Sequence, residues 1–340
     1  MTSWGRRALW VLAMTATPAT ADVRLLDFAD LNGWPNDNHA AALAVFQETC
    51  SDLRSGDWPA ICALSHKSGD PKSFFETFFR PVLITDGEDP LFTGYFEPEL
   101  EGSLTRTSRF QIPLRRQPTE LSASAQWKSR EEIETSGVLE NRGLEIVWIE
   151  DPVDKFFLQV QGSGRIRLGD GSYIRLGYGA KNGHPYRSIG QELVRRGHFQ
   201  EHQVSASVIR NWVKTNPNEG KDLLHHNPSY VFFREVSQVP ADKGPLGAMN
   251  RSVTAGRTLA IDPDFVPLGA PVWLEKDGRT PFQRLMVAQD TGSAIKGAQR
   301  GDIFFGTGPE AGKEAGRVRD GGKMIVLLPI EEALSRADGL

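Results

Sequence analysis

Three aspartates stand at the edges of apolar segments in the C-terminal third of the chain. Asp262 sits in Ala260-Ile261-Asp262-Pro263. Asp290 follows the apolar stretch Arg284–Gln289, and Asp302 opens Asp302-Ile303-Phe304-Phe305. A carboxylate at the mouth of a strand is partly stripped of water, and a second carboxylate nearby raises its pKa further. That is how an Asp holds a proton long enough to act as a general acid near neutral pH. Asp also closes turns, and any one of the three taken alone reads at least as well that way. Asp262, just before Pro263, is the best candidate for a turn.

Other chemistries find less support. Asp290-Thr291-Gly292 is the triplet of pepsin-like aspartic proteases, but a single-chain protease of that kind needs two copies and this sequence has one. Gly292-Ser293-Ala294-Ile295-Lys296-Gly297 only loosely resembles a phosphate-binding loop, because its Lys precedes the second Gly. Gln161-Gly162-Ser163-Gly164 is not a nucleophile elbow. Neither H-E-x-x-H nor C-x-x-C occurs. The seven His are scattered apart from His225-His226, and adjacent residues on a helix point in different directions. No metal and no cofactor are expected.

The chain has 340 residues, which suits about two domains, with 39% hydrophobic and 24% charged residues. A net charge of −4, from 39 basic and 43 acidic residues, makes nucleic acid a poor partner. The first residues read as a secretory leader. Arg6 and Arg7 precede the short apolar run Ala8–Ala16, and Ala19-Thr20-Ala21 is a cleavage site that would leave Asp22 first. The run is too short to cross a bilayer. Cys50 and Cys62 fit export, since in an oxidising compartment they could pair across the short loop Ser51–Ile61.

The elements that must position these groups fall into three stretches. Residues 22–90 are expected to be helical: Asp37 or Asn38 caps a helix carrying Leu43, Phe46 and Cys50, and Pro81 ends a second apolar cluster at Phe74, Phe75, Phe78 and Phe79. Strands are expected at Leu91–Phe96, Glu145–Glu150, Lys155–Gln161, Arg165–Leu168 and Tyr173–Leu176. Ser129, Ser188 and Ser205 start helices among and after them. Strands return from Tyr230 to Leu328 at a spacing, with Gly/Pro turns, that suggests a closed barrel.

Several longer strings are specific. They are Phe156-Phe157-Leu158-Gln159-Val160-Gln161-Gly162-Ser163-Gly164, Gly177-Tyr178-Gly179-Ala180-Lys181-Asn182-Gly183-His184-Pro185-Tyr186 and Asn227-Pro228-Ser229-Tyr230. Gly244-Pro245-Leu246-Gly247-Ala248, Gly256–Pro263, Asp290–Gly297 and Gly301-Asp302-Ile303 follow in order. Together, from about Leu91 to Leu328, they resemble the membrane-bound lytic murein transglycosylase A family with its C-terminal three-aspartate domain.

The resemblance implies a mainly β protein with helices, built from a discontinuous double-psi β-barrel and an inserted smaller β-rich domain with a glycan groove between them. The barrel would comprise 22–104 and 225–340, the insert 105–224, and the leader 1–21. Asp302 matches the single catalytic acid/base, Asp290 a second aspartate that tunes or orients it, and Asp262 a structural third. Thr93, Gly94, Tyr95, Gln161, Gly162, Ser163, Gly164, Tyr178, Asn182 and Tyr186 match groove motifs, where rings stack on sugars and amides bond hydroxyls. Ser293 stands where the family often has Gly, a change that should not alter the chemistry.

Many members are lipoproteins. No Cys stands at the cleavage point here, so a periplasmic monomer, at most peripheral to the outer membrane, is expected. Its partners would be peptidoglycan glycan strands and, beyond them, cell-wall synthesis or division proteins. The implied activity is non-hydrolytic cleavage between N-acetylmuramic acid and N-acetylglucosamine, leaving 1,6-anhydro ends. A non-catalytic glycan-binding module and, more distantly, an aspartic-type protease are the alternatives.

Overall fold

A computed structural model describes residues 21–122, 125–237, 239 and 243–339. The leader expected over 1–21 lies, but for its last residue, outside the described residues. The chain starts with β1 (Asp22–Leu25) and then forms α1 (His39–Thr49), α2 (Trp58–Ser65) and α3 (Pro71–Phe78). Asn38 caps α1 by accepting the amide of Ala41 at 3.1 Å. Asp37, the other candidate cap, instead takes Arg257 at 2.7 Å and the Leu285 amide at 2.9 Å, tying the helices to the C-terminal strands. Cys50 and Cys62 are joined as a disulfide with Cα atoms 5.4 Å apart.

The expectation that residues 22–90 are helical fails at both ends. Besides β1, Phe79 begins β2 (Phe79–Thr85), and Pro81 lies inside that strand rather than beyond a helix end. β1 and β2 pair antiparallel, and β2 also pairs with the last long strand of the chain. Their apolar residues therefore join the strand core, and tertiary pairing overrides the local helical reading.

β3 (Leu91–Glu97) and β4 (Glu99–Ser103) are separated by Pro98 alone. Pro lacks the amide that a continuing ladder needs, and here the chain leaves one sheet for another. β4 pairs with β6 (Glu145–Ile149) and β7 (Gly164–Arg167). β5 (Ile112–Arg115) pairs with β6, and β8 (Tyr173–Lys181) joins β7 to β9 (Val231–Glu235). This six-stranded sheet takes β4 from before residue 105 and β9 from after residue 224, so it outruns the expected insert on both sides.

The helices of this region are α4 (Arg130–Thr135), α5 (Pro152–Gln161), α6 (Ile189–Arg195), α7 (Ala206–Thr215) and α8 (Pro217–His226). Lys155–Gln161, expected as a strand, is the body of α5. Asp151 accepts the amide of Val153 at 2.7 Å, Pro152 occupies the first turn, and Gly162 ends the helix with φ 80°. These start and stop signals outweigh the apolar run between them.

The chain then returns to the first sheet through β10 (Thr258–Ile261), β11 (Pro271–Lys276), β12 (Phe282–Thr291) and β13 (Arg300–Thr307). It ends with α9 (Pro309–Ala315), β14 (Arg319–Asp320), β15 (Gly322–Pro329) and α10 (Ile330–Ala337). The order across this nine-stranded sheet is β1-β2-β15-β11-β12-β10-β13-β3-β14, with β10/β12 and β13/β3 parallel. The result is a mainly β protein with helices, in two β-rich bodies. One core joins α1–α3 to this sheet through Phe46, Phe75, Phe79 and Trp273, all fully buried. Separate cores fill α5–α8 and the six-stranded sheet.

The two sheets meet at Glu97, the last residue of β3, which is 0% exposed. It pairs with Arg165 of β7 at 3.0 Å and Arg175 of β8 at 2.9 Å, and accepts the hydroxyl of Thr307 of β13 at 2.8 Å. A buried carboxylate is tolerated only with such partners, and removing one side strands the others. Glu97→Ala should cost about 3–5 kcal/mol, read as a lowered urea midpoint, with Glu97→Gln in between.

Candidate active site

Strand register puts the aspartates in one row. In β13, Asp302 lies opposite Thr93 of β3 on one side and Ala260 of β10 on the other. Ala260 in turn lies opposite Asp290 of β12. Asp290 and Asp302 are thus two strands apart, about 10 Å between backbones at the usual strand spacing. Ala260 is the residue between them, buried and carrying only a methyl group. On the far side of Thr93 the row continues to Arg319 of β14. Side chains two apart in a strand share a face, so Arg300 accompanies Asp302, and Tyr95 accompanies Thr93.

The hydrogen bonds follow this row. Thr93 Oγ1 donates to Asp302 Oδ1 at 2.6 Å and accepts from Arg300 Nη2 at 2.9 Å. Tyr95 Oη donates to Asp290 Oδ2 at 2.9 Å. Asp290 Oδ1 accepts the amides of Ala248 at 3.0 Å and Thr291 at 2.9 Å. Tyr95 also packs on Phe304, ring centroids 5.1 Å apart.

Both aspartates are half-buried. Loss of water pushes Asp302 up to about 6. Thr93 and the Arg300 charge oppose that rise, and the Asp290 charge adds to it. Loss of water also raises Asp290, against three donors that favour its anion: Thr291, Tyr95 and Ala248. Tyr95 is held well above its ordinary value by burial and by the Asp290 and Asp302 charges, so it remains a donor. Asp302 is therefore the carboxyl poised to give and regain a proton, and Asp290 the one held by three donors.

Asp262 is a different group. It is 2% exposed, and although burial pushes it up, Lys296 at 2.8 Å, the amide of Gly297 at 3.0 Å and that of Asp264 hold it below its ordinary value. It ties the end of β10 to the Asp290–Gly297 loop.

The residues matched to groove motifs do not share one role. Thr93 and Tyr95 touch the aspartates directly. Gln161 accepts the amide of Phe96 at 3.2 Å, so the end of α5 reaches the site strand. Half-buried Ser163 follows it. Gly94 serves packing: a β-carbon there would come within 2.7 Å of Ala315 of α9 and of the Phe305 ring. Gly162 is the left-handed cap of α5, and Gly164 is buried at the start of β7.

Tyr178 and Tyr186 present half-open rings, 50% and 40% exposed. Asn182 is a correction. It is fully buried, gives its amide hydrogens to the Lys128 and Pro228 carbonyls at 2.8 Å each, and accepts the Tyr230 amide at 2.9 Å. With both amide hydrogens spent and no surface exposed, it offers nothing to a sugar hydroxyl and pins three segments of the second body together.

Arg300, the Ala248 amide and Glu97 were not singled out from sequence. Arg300 had a signal, since it stands two residues before Asp302 and shares its face. The Ala248 amide lies in the string Gly244-Pro245-Leu246-Gly247-Ala248, but its contact with Asp290 depends on a loop brought in from outside the row.

The raised Asp302 carries a stability consequence. Its folded pKa lies above the unfolded value of 3.8, so its contribution is complete below that value and is lost as pH rises through about 6. Asp302→Asn should therefore raise folding stability at pH 7.5 by roughly 1–3 kcal/mol. The gain should vanish toward pH 4, as read by paired denaturation curves.

Residues 91–234 match the family described as "MltA specific insert domain", and residues 257–328 match "3D domain". The chain is 38% identical over 246 residues to "Membrane-bound lytic murein transglycosylase A" of Escherichia coli (strain K12), across 69% of this chain. That alignment spans 65% of the relative's own length. A solved membrane-bound lytic murein transglycosylase from Agrobacterium tumefaciens is 33% identical, with TM-score 0.83, covering 93% of this chain and 99% of that one. E. coli MltA, solved with bound chitohexaose, is 29% identical with TM-score 0.74, covering 91% of this chain and 94% of that one. The chain belongs to the membrane-bound lytic murein transglycosylase A family.

Proposed function

We propose that this protein is a lytic transglycosylase acting on the glycan strands of peptidoglycan, with Asp302 as its acid and base. The observation that carries the reading is the state of Asp302: a half-buried carboxyl pushed up to about 6 and oriented by Thr93, which takes the Arg300 guanidinium on its own oxygen. Membership of the family and the chitohexaose held by the E. coli relative support the substrate class.

Protonated Asp302 donates to the oxygen between N-acetylmuramic acid and N-acetylglucosamine. The C1–O bond breaks through an oxocarbenium-like state. Ionised Asp302 then takes the proton of the muramic C6 hydroxyl as that oxygen closes onto C1, giving a 1,6-anhydro end with no water consumed. Because the nucleophile belongs to the substrate, its effective concentration is high and no second catalytic carboxylate is required. Burial does most to keep Asp302 protonated; Asp290, oriented by three donors that favour its anion, adds to that and favours the cation-like state when it is ionised.

The glycan runs between the two β-rich bodies, with Thr93 and Tyr95 beneath the reacting ring, Gln161 and Ser163 beside it, and Tyr178 and Tyr186 offering faces for stacking. The junction at Pro98 sets the division: a barrel from β1–β3 and β10–β15, and an insert from β4 to β9. Among the described residues no helix is long and apolar enough to cross a membrane. The working place is the periplasm, in association with the envelope, as a monomer that meets the cell-wall synthesis or division machinery at its substrate.

Asp290 and Asp302, two strands apart, also approach the spacing of a hydrolase that inverts its product. That route needs Asp290 as a base toward water, whereas its oxygens already take three hydrogen bonds. Mass spectrometry of material released from purified sacculi separates the two. Expected are 1,6-anhydromuramic ends, activity falling as pH rises through about 6, and loss of at least roughly 100-fold in Asp302→Asn with binding retained. Reducing ends carrying one added water would make the protein a hydrolase.

A further inference from the structure

We propose that Arg300, acting through Thr93, determines which oxygen of Asp302 carries the acid proton, and is thus a positioning residue for the reaction. The inference rests on the transglycosylase reading above and adds a residue to it.

The argument is one of donors and acceptors. A guanidinium only donates. Arg300 Nη2 donates to Thr93 Oγ1 at 2.9 Å, and its Nη1 is spent on the carbonyls of Gly301 at 2.6 Å and Leu91 at 3.2 Å. The guanidinium is therefore anchored to the first residue of β3 and to the residue between itself and Asp302. Thr93 has one hydroxyl hydrogen. With Arg300 donating to its oxygen, that hydrogen points to the other neighbour, Asp302 Oδ1 at 2.6 Å.

An oxygen that accepts Thr93's hydrogen does not also turn its own hydrogen toward Thr93. The carbonyl oxygen of a carboxylic acid accepts far better than its hydroxyl oxygen, so a short bond from Thr93 to Oδ1 favours the acid proton on Oδ2. Without Arg300 the Thr93 hydroxyl is free to rotate and accept instead, and Asp302 can turn its acid proton inward to Oδ1 and Thr93. That arrangement is a good hydrogen bond and a useless acid. Arg300 removes it.

The same geometry serves both halves of the reaction. Oδ2 gives its proton to the glycosidic oxygen as the C1–O bond breaks, and takes the C6 hydroxyl proton as the new C1–O bond forms. Throughout, Thr93 donates to Oδ1, so no donor has to turn between the steps. The remaining charged groups near Asp302 are Asp290, which favours its proton, and Arg319 on β14, which acts on Arg300 and pairs with Glu201 at 3.3 Å.

The test is a double-mutant cycle on full-length protein with purified sacculi. Release of anhydro ends is followed from pH 4 to pH 9 for Arg300→Met, Thr93→Val, the pair together, Arg300→Lys and Thr93→Ser. Arg300→Met should lower kcat roughly tenfold or more with KM within about twofold, and move the alkaline fall in activity to higher pH, because a cation that favours the anion is gone. Thr93→Val should do much the same, the pair should lose little beyond either single change, and Thr93→Ser should recover most activity. Arg300→Lys, with no fork to hold two carbonyls and a hydroxyl together, should recover only part.

Additive losses would overturn the proposal, as would an unmoved pH profile in Arg300→Met, which is what a merely structural role produces. If Arg300→Met does not fold, Arg300→Lys combined with Thr93→Val completes the cycle. Failure of the unaltered protein to release anhydro ends would overturn the function and this assignment together, whereas an active protein lacking the coupling overturns this assignment alone.

Discussion

A carboxylic acid keeps a proton near neutral pH only if water is taken from it without a cation being put in water's place. In this chain that constraint falls on Asp302, and much of the nine-stranded sheet around it can be read as a way of meeting it. The acid stands in a strand paired on both sides, so its backbone is spent on the ladder and its side chain is half covered. The nearest cation reaches it only through a hydroxyl. The nearest anion is two strands away, across a methyl group. Direct contact with the Arg300 guanidinium would favour the anion and lower the acid.

A second constraint is that the two β-rich bodies keep a fixed relation at their junction. Pro98 ends one ladder and begins the next. Beside it Glu97 collects two arginines of the second sheet and a hydroxyl of the first. Such a cluster adds little net stability compared with a well-packed apolar contact, since its desolvation is costly. What it provides is geometry. Two guanidiniums on one buried carboxylate allow few relative positions of β3, β7 and β8. Tyr95, two residues before Glu97 on β3, inherits that positional restraint.

Charge is managed differently in the two bodies. In the first sheet, Asp290 and Asp302 accept from Tyr95, Thr93 and backbone amides rather than from a cation, and Asp302 is raised to about 6. In the second body, Glu134 sits among Lys155, His225 and Arg130, and is held well below its ordinary value. A carboxyl group is thus raised toward neutral pH in one place and held as an anion in another, and the difference lies in the neighbours.

The strands of the C-terminal half were legible in the sequence because apolar runs there are bounded by Gly and Pro, and the motif strings from Leu91 to Leu328 pointed to the family. The helix caps at Asn38, Ser129, Ser188 and Ser205 were legible because capping is a local hydrogen bond between near neighbours. Lys155–Gln161 was misread where a run of apolar residues was weighed above the Asp151-Pro152 start and Gly162 stop. Asn182 was expected in the groove because it matches a motif of the family, whereas its partners, Lys128, Pro228 and Tyr230, are distant in sequence. The sequence by itself determined which residues could do chemistry and that the chain is β-rich in two parts. Only the tertiary structure decided that Asp290, Ala260, Asp302 and Thr93 form one row, that Arg300 speaks to Asp302 through Thr93, and that Pro98 and Glu97 form the junction. Those relations are set by strand register and by contacts between segments up to about two hundred residues apart, and no local pattern encodes a register.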